Sequence, residues 1–260
     1  MTSTPPTRLQ ADRADQSRAR ILDAAIRQFS ENGLAGARTE LIAEAAGVNK
    51  ALLYYYFQGK DALYTAALET VAERMVAASM QVLTRDCSAG ERLLCAALNH
   101  FDRIYSQPVF QNLLQQEMIR LRTVGTGTSG SPLVEKLFRP MGDKTLAVVE
   151  EGIRSRELIP VEATQVTYAA LGANVFYFLS APMMRTILGT DPFERSALEF
   201  RRRAAVEFLG LALFVDREHG AGLAAKVLAD SPMPEHIQPP SHPLTSAGKV
   251  KSAERSRSRE

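Results

Sequence analysis

Residues 38–60, RTELIAEAAGVNKALLYYYFQGK, read as a helix, a glycine turn and a second helix that keeps polar and aromatic residues on its outer face. Thr39 is a favoured N-terminal cap, and Leu41, Ile42, Ala45 and Ala46 fall mostly on one helical face behind it. Gly47 then stops the helix, because glycine takes the left-handed conformation of a helix C-terminus without a Cβ penalty. Ala43, one turn earlier, lets two helices cross closely. Val48, Leu53 and Phe57 supply the packing of the second helix. Asn49, Lys50, Ala51, Tyr54 and Tyr55 are left facing outward, with Lys60 opening the next helix. A helix presented in this way suits the major groove of double-stranded DNA. Tyr56 and Phe57 read as core, whereas Tyr54 divides evenly between packing and DNA, since a ring with a polar tip serves both.

Upstream, residues 18–32 carry an apolar stripe of Ile21, Leu22, Ala25 and Phe29 that ends at Gly33. Residues 1–16 are polar, contain Pro5 and Pro6, and read as a disordered arm, with Arg8 or Arg13 weighed as minor-groove contacts against an idle tail. Downstream, Leu63, Ala67, Val71, Met75 and Val82 mark a long amphipathic helix from Asp61 to Thr84. Helical periodicity then recurs at 90–106, 108–123, 133–157, 162–180 and 194–215, with Pro108, Pro132, Pro160 and Pro192 at or near the boundaries. From Asp230 the chain is rich in proline, serine and charge and reads as a disordered basic tail. The expected fold is all-α: a DNA-binding domain at 17–77 and a larger helical domain at 78–229.

The ordered set Arg18, Ile21-Leu22, Ala25, Phe29, Gly33, Thr39, Ile42-Ala43, Ala46-Gly47-Val48, Leu53-Tyr54, Tyr56-Phe57, Lys60 and Leu63 resembles the TetR family of transcriptional regulators. The resemblance runs from Arg18 to Leu68. Asn49 stands where the family usually has serine, Ala51-Leu52 replace a common Gly-Thr, and Tyr55 replaces a frequent histidine. These departures bear on the operator sequence rather than on the domain. The resemblance implies a three-helix helix-turn-helix domain and a homodimer that binds a palindromic operator as a repressor. Arg38, Thr39, Asn49, Lys50, Ala51, Tyr54, Tyr55 and Lys60 are the residues expected at the DNA.

The segments 162–180 and 194–215 are apolar around much of their circumference, which requires burial on several sides, and a two-fold dimer interface meets that need. Ala169, Gly172, Phe176, Val206 and Leu209 are expected there; the resemblance implies a four-helix bundle from the last two helices of each subunit. Residues 90–157 interleave Phe101, Tyr105, Phe110, Met118 and Phe138 with Asn99, Asn112, Gln115 and Gln116. Such walls suit a ligand pocket or an ordinary core. The resemblance favours a pocket for a small apolar or amphipathic effector, with Met75, Phe101, Gln115, Met118 and Tyr168 as its expected lining.

Other chemistries have little support. A net charge of +2 in 260 residues argues against a purely electrostatic DNA binder, though a helix-turn-helix needs only a few placed contacts. Cys87 and Cys95 form no Cys-x-x-Cys pair, so neither zinc nor a disulfide framework is expected, and a redox role would need a low thiol pKa. His100, His219, His236 and His242 make no HExxH or Glu-x-x-His arrangement, and no GxSxG elbow occurs, so no enzyme activity and no cofactor are expected. Gly125, Gly127 and Gly130 match GxGxxG, but no second strand accompanies them to build a dinucleotide site. Arg201, Arg202 and Arg203 point about 100° apart on a helix and cannot form one patch. The N-terminus lacks a signal-peptide core and no segment is apolar enough for a membrane span, so a cytoplasmic location is expected. Two alternatives remain: a helical small-molecule binder or enzyme with a vestigial DNA-binding domain, and a regulator that answers to thiol oxidation or a protein partner.

Overall fold

The computed structural model describes residues 8–124 and 133–235, with side chains from residue 13 onward. Among the described residues the chain is helical almost throughout, with no strand and one isolated antiparallel bridge between Leu158 and Phe214. The N-terminal unit comprises α1 (Arg8–Gly36), α2 (Thr39–Ala45) and α3 (Lys50–Phe57), from which α4 (Lys60–Leu83) leads away. Residues 8–16, expected within a disordered arm, belong to α1: the segment after Pro6 lacks proline and glycine, and consists mostly of residues that tolerate helix well. Gly33, at φ 65°, interrupts α1 before a last turn to Gly36. Residues 1–7, the glycine run 125–130, and the tail beyond 235 with His236 and His242 lie outside the described residues.

Ile21, Ala25 and Phe29 of α1 are fully buried, with Ile42, Leu53 and Leu63 packed around them and the Phe29 ring edge-on to Tyr64 at 5.0 Å. This core is not closed by the first helices alone. Leu113 of α6 (Pro108–Val124) is fully buried in it, and Phe110 and Leu114 pack against it. The Gln116 amide of the same helix donates to Ser30 O at 2.6 Å.

In the C-terminal unit, α5 (Ala89–Ser106) packs on α4, α7 (Arg139–Arg154), α8 (Ala163–Leu188), α9 (Arg195–Leu213) and α10 (Arg217–Asp230). A π turn, Val134–Phe138, leads into α7. Two features depart from the sequence expectation. The eighth helix continues past residue 180, through Pro182, to a left-handed cap at Gly189. Helix α10 is additional; the glycines in REHGAGLAAKVLAD depress helix propensity, yet Gly220 is needed, because a Cβ there would stand 2.1 Å from Gly210 O. Close backbone approach thus lets α10 cover one side of α9. No described helix is long and apolar enough to cross a membrane.

Candidate nucleic-acid interface and internal cavity

The turn between α2 and α3 is built by backbone hydrogen bonds from Gly47 N to Glu44 O and from Val48 N to Ala43 O, both 3.0 Å. Gly47 sits at φ 65°, where a side chain is strained, so the turn that orients α3 depends on that glycine. The helix itself starts on Asn49, whose side-chain oxygen accepts from Leu52 N at 2.7 Å. Its buried face is Leu53 and Phe57, while Lys50, Ala51, Tyr54 and Tyr55 are exposed, Tyr55 at 79%. One α3 face therefore offers a cation, a small residue and two phenols to a partner.

Several predicted DNA-facing residues have a second task. Thr39 is not the cap of α2: Arg38 occupies that position, and Thr39 is the first helical residue. The Thr39 hydroxyl is buried and stands 3.3 Å from the Tyr54 hydroxyl, which fixes the phenol at the mouth of the α2 N-terminus. Lys50 pairs with Glu40 across the turn and lies 5.7 Å from the Tyr54 ring centroid. That exposed pair holds the Glu40 carboxyl below its ordinary pKa and the lysine above its own, chiefly through their mutual hydrogen bond. Lys60 donates to Ala35 O at 3.1 Å and so ties α4 to the end of α1. Leu41 and Ala45 point outward, leaving Ile42, Ala43 and Ala46 as the buried face of α2.

A cavity of about 170 Å³ lies in the C-terminal unit, bounded by α4 (Val71, Met75, Ser79), α5 (Ala96, Asn99, His100, Arg103), α6 (Phe110, Gln111, Leu114), α7 (Met141, Thr145) and α8 (Leu171). Met75 is the single expected lining residue that it uses. Phe101 lies on the opposite face of α5, buried against Leu198, Tyr177 and Phe178. Gln115 is not among the cavity's lining residues, although Gln111, one turn earlier on α6, is. Met118 falls one turn beyond the cavity and is 67% exposed. Tyr168 points outward, 71% exposed, on the stripe that holds Gly172 and Phe176.

That outward stripe of α8 continues through Leu179, Met183 and Ile187, beside exposed Phe200, Phe208 and Leu211 of α9. Ala169, Gly172 and Phe176 are exposed as expected of an interface. Val206 and Leu209 are not: both are buried within the subunit core, on the side of α9 that meets α5 and α10. The added helix explains the difference, since it occupies a face that the sequence left open.

Arg201, Arg202 and Arg203 do diverge. Arg201 stacks on Tyr177 at 5.7 Å, Arg202 bonds Asp102 at 2.7 and 2.8 Å, and Arg203 is exposed. Burial pushes both cysteine thiols above their ordinary pKa, the opposite direction from the low pKa a redox-sensing thiol needs.

A glycine-closed helix pair that presents an exposed basic and aromatic helix has the arrangement of a helix-turn-helix DNA-binding domain, here joined to further helices that enclose a cavity. Residues 21–67 match the family model described as bacterial regulatory proteins, tetR family. The chain is 28% identical over 200 residues to the HTH-type transcriptional regulator RutR of Escherichia coli K12, covering 72% of this chain and 87% of that one. It is also 40% identical over 68 residues to the repressor NicS of Pseudomonas putida, covering 26% and 32% of the two chains. Among solved structures, a Saccharomonospora viridis transcriptional regulator in complex with choline superposes with a TM-score of 0.60 at 15% identity, over 78% of this chain and all of that one. The matched domain and these relatives support a transcriptional regulator of the TetR family.

Proposed function

We propose that the protein is a homodimeric repressor that leaves a palindromic operator when a small amphipathic molecule fills the cavity between α4, α5, α6, α7 and α8. The observation that carries this reading is the path of α4: Lys60 at its start is tied to the reading unit, and Val71, Met75 and Ser79 further along line the cavity. A domain of residues 17–77 reads DNA, and residues 78–229 sense and dimerise. Lys50, Ala51, Tyr54 and Tyr55 enter the major groove and Arg38 meets phosphate at the start of α2, while buried Thr39 positions Tyr54, and Asn49 and Lys60 position the two helices around them. The dimer forms through Ala169, Gly172 and Phe176 of α8 with Phe200, Phe208 and Leu211 of α9, an apolar stripe whose exposure on a lone subunit favours a second copy.

A ligand shifts this equilibrium only if it binds one arrangement of α4 better than the other. Two reading heads must meet half-sites at a fixed separation, so a small displacement of α4 in each subunit costs simultaneous docking. Coupling of about 1–3 kcal/mol, a factor of roughly 5–150, is the usual scale.

The test is to select bound sequences from a random DNA pool and measure affinity for the winning operator by fluorescence anisotropy. A palindromic consensus is expected, with Lys50→Ala and Tyr55→Phe each weakening binding at unchanged helical content. Wild-type affinity in both variants, or no selected sequence at all, would refute the DNA assignment and favour a small-molecule binder.

A further inference from the structure

The cavity wall is lopsided in charge. Among the described residues that line it, Arg103 is the one cation and none is an aspartate or glutamate. The guanidinium nitrogen Nη1 donates to Met75 O at 3.0 Å and Arg74 O at 3.4 Å, both backbone acceptors. Among the described residues no acidic side chain pairs with Arg103, and burial is the influence on its pKa, downward. A guanidinium has five donors in a fixed fork, so those on Nε and Nη2 remain for a ligand.

His100 also lines the cavity, and its neighbours fix which ring nitrogen carries the proton. Asn174, 1% exposed, donates its amide to Ala97 O at 3.0 Å and stands 3.4 Å from His100 Nδ1. The reversed amide would set its oxygen against the Ala97 carbonyl, so the nitrogen faces the ring, Nδ1 accepts, and the proton sits on Nε2. Burial, with Arg103 beside it, pushes the imidazole down to about 4, so the ring is neutral near pH 7. The hydroxyls of Ser79 and Thr145 use their protons on the carbonyls of Met75 and Met141, at 3.0 and 2.9 Å. The charged group on offer is therefore a donor, and the remainder of the wall is largely apolar, with Met75, Phe110, Leu114, Met141 and Leu171.

We propose that the ligand of this cavity is a small amphipathic carboxylic acid, its carboxylate held by Arg103 with His100 Nε2–H and its apolar body against Met75, Phe110, Leu114 and Met141. The inference rests on the effector reading of the cavity and adds the sign of the ligand's charge. Its size follows from volume: about 170 Å³ is close to the roughly 150 Å³ cavity that takes up benzene, so the body is a ring or a chain of similar bulk. A quaternary amine such as the choline of the Saccharomonospora viridis complex would find no carboxylate among the described lining residues.

The test uses the full chain and six probes at pH 7.5: hexanoate, 1-hexanol and hexylamine, then phenylacetate, 2-phenylethanol and phenethylamine. Calorimetry is expected to show at least one acid binding about tenfold or more tighter than the alcohol and the amine of the same skeleton, as charge-assisted hydrogen bonds require. That preference should fall to within about threefold in Arg103→Gln, and persist in weakened form in Arg103→Lys. If the variants do not fold, the ranking in the wild-type protein decides by itself, together with a loss of acid affinity on raising salt that the alcohol does not share. The inference is overturned if no probe binds, if the alcohol or amine matches the acid for both skeletons, or if the acid preference survives in Arg103→Gln. Operator release is read separately: an acid that binds without releasing DNA sustains the ligand class and refutes the effector reading.

Discussion

Acidification probes the interior of the C-terminal unit through His100. Burial between α5 and α8, with Arg103 adding its charge, pushes this imidazole from 6.5 down to about 4. As pH falls, the unfolded chain takes up the proton first and the folded one resists it. The contribution of His100 is therefore complete above about pH 6.5, is lost progressively between about 6.5 and about 4, and changes no further below that. At about 1.4 kcal/mol per pH unit, the interval from 6.5 to about 4 corresponds to about 3 kcal/mol. Urea unfolding at pH 7.5, 6, 5 and 4.5, at one fixed protein concentration, measures it against His100→Gln. Carboxylates titrating in the same range act on both proteins and cancel in the difference. The wild-type protein should lose about 2–3 kcal/mol more than the variant across the window. Superimposable pH profiles would show that His100 is not held as a buried neutral ring, and the assignment of its Nε2 proton to the cavity would fall with it.

Three further outcomes are expected. Glu40→Gln releases Lys50 and removes a carboxylate from the reading face, so operator affinity should rise and its salt dependence steepen by about one log-log unit; weaker binding would mean that the ion pair positions Lys50 productively. Phe208→Glu should give folded monomers by light scattering, whereas Val206→Ala should lower stability by about 2 kcal/mol and leave assembly intact, because the first residue is exposed and the second buried. Dimeric Phe208→Glu would place the interface elsewhere. Tyr64→Phe removes a hydroxyl that donates to the buried Glu117 carboxylate at 3.0 Å, a bond worth about 1.5–3 kcal/mol, and an unchanged melting temperature would contradict that value.

The reading helix was legible because its signals are local: Gly47 closes a turn within six residues, and Leu53 and Phe57 lie one turn apart on one face. What depends on partners distant in sequence was not. Nothing near Lys60 announces that its ammonium caps α1 at Ala35, and Glu40 reaches Lys50 only after the turn has formed. The cavity shows the same limit. The helical period places Asn99, His100 and Arg103 together on α5, but which face turns inward is decided by Leu198, Tyr177 and Phe178, which claim Phe101. Asn99 was readable as a polar group of such a wall, and the helical period that links it to His100 and Arg103 was the available signal for the rest. Val206 and Leu209 were misplaced because α10, weakened in appearance by its glycines, covers the side of α9 they occupy.

Helix α6 gives Phe110, Gln111 and Leu114 to the cavity, and gives Leu113 and Gln116 to the unit that reads DNA. Recombination that joins this N-terminal unit to a foreign sensor at the α4 boundary would strip a fully buried leucine from its core and leave the Ser30 carbonyl without its amide. The seam for a working chimera therefore lies after α6, so that new operator preferences and new ligand preferences cannot be shuffled independently in this protein: a graft inherits part of the old pocket wall along with the old reading head.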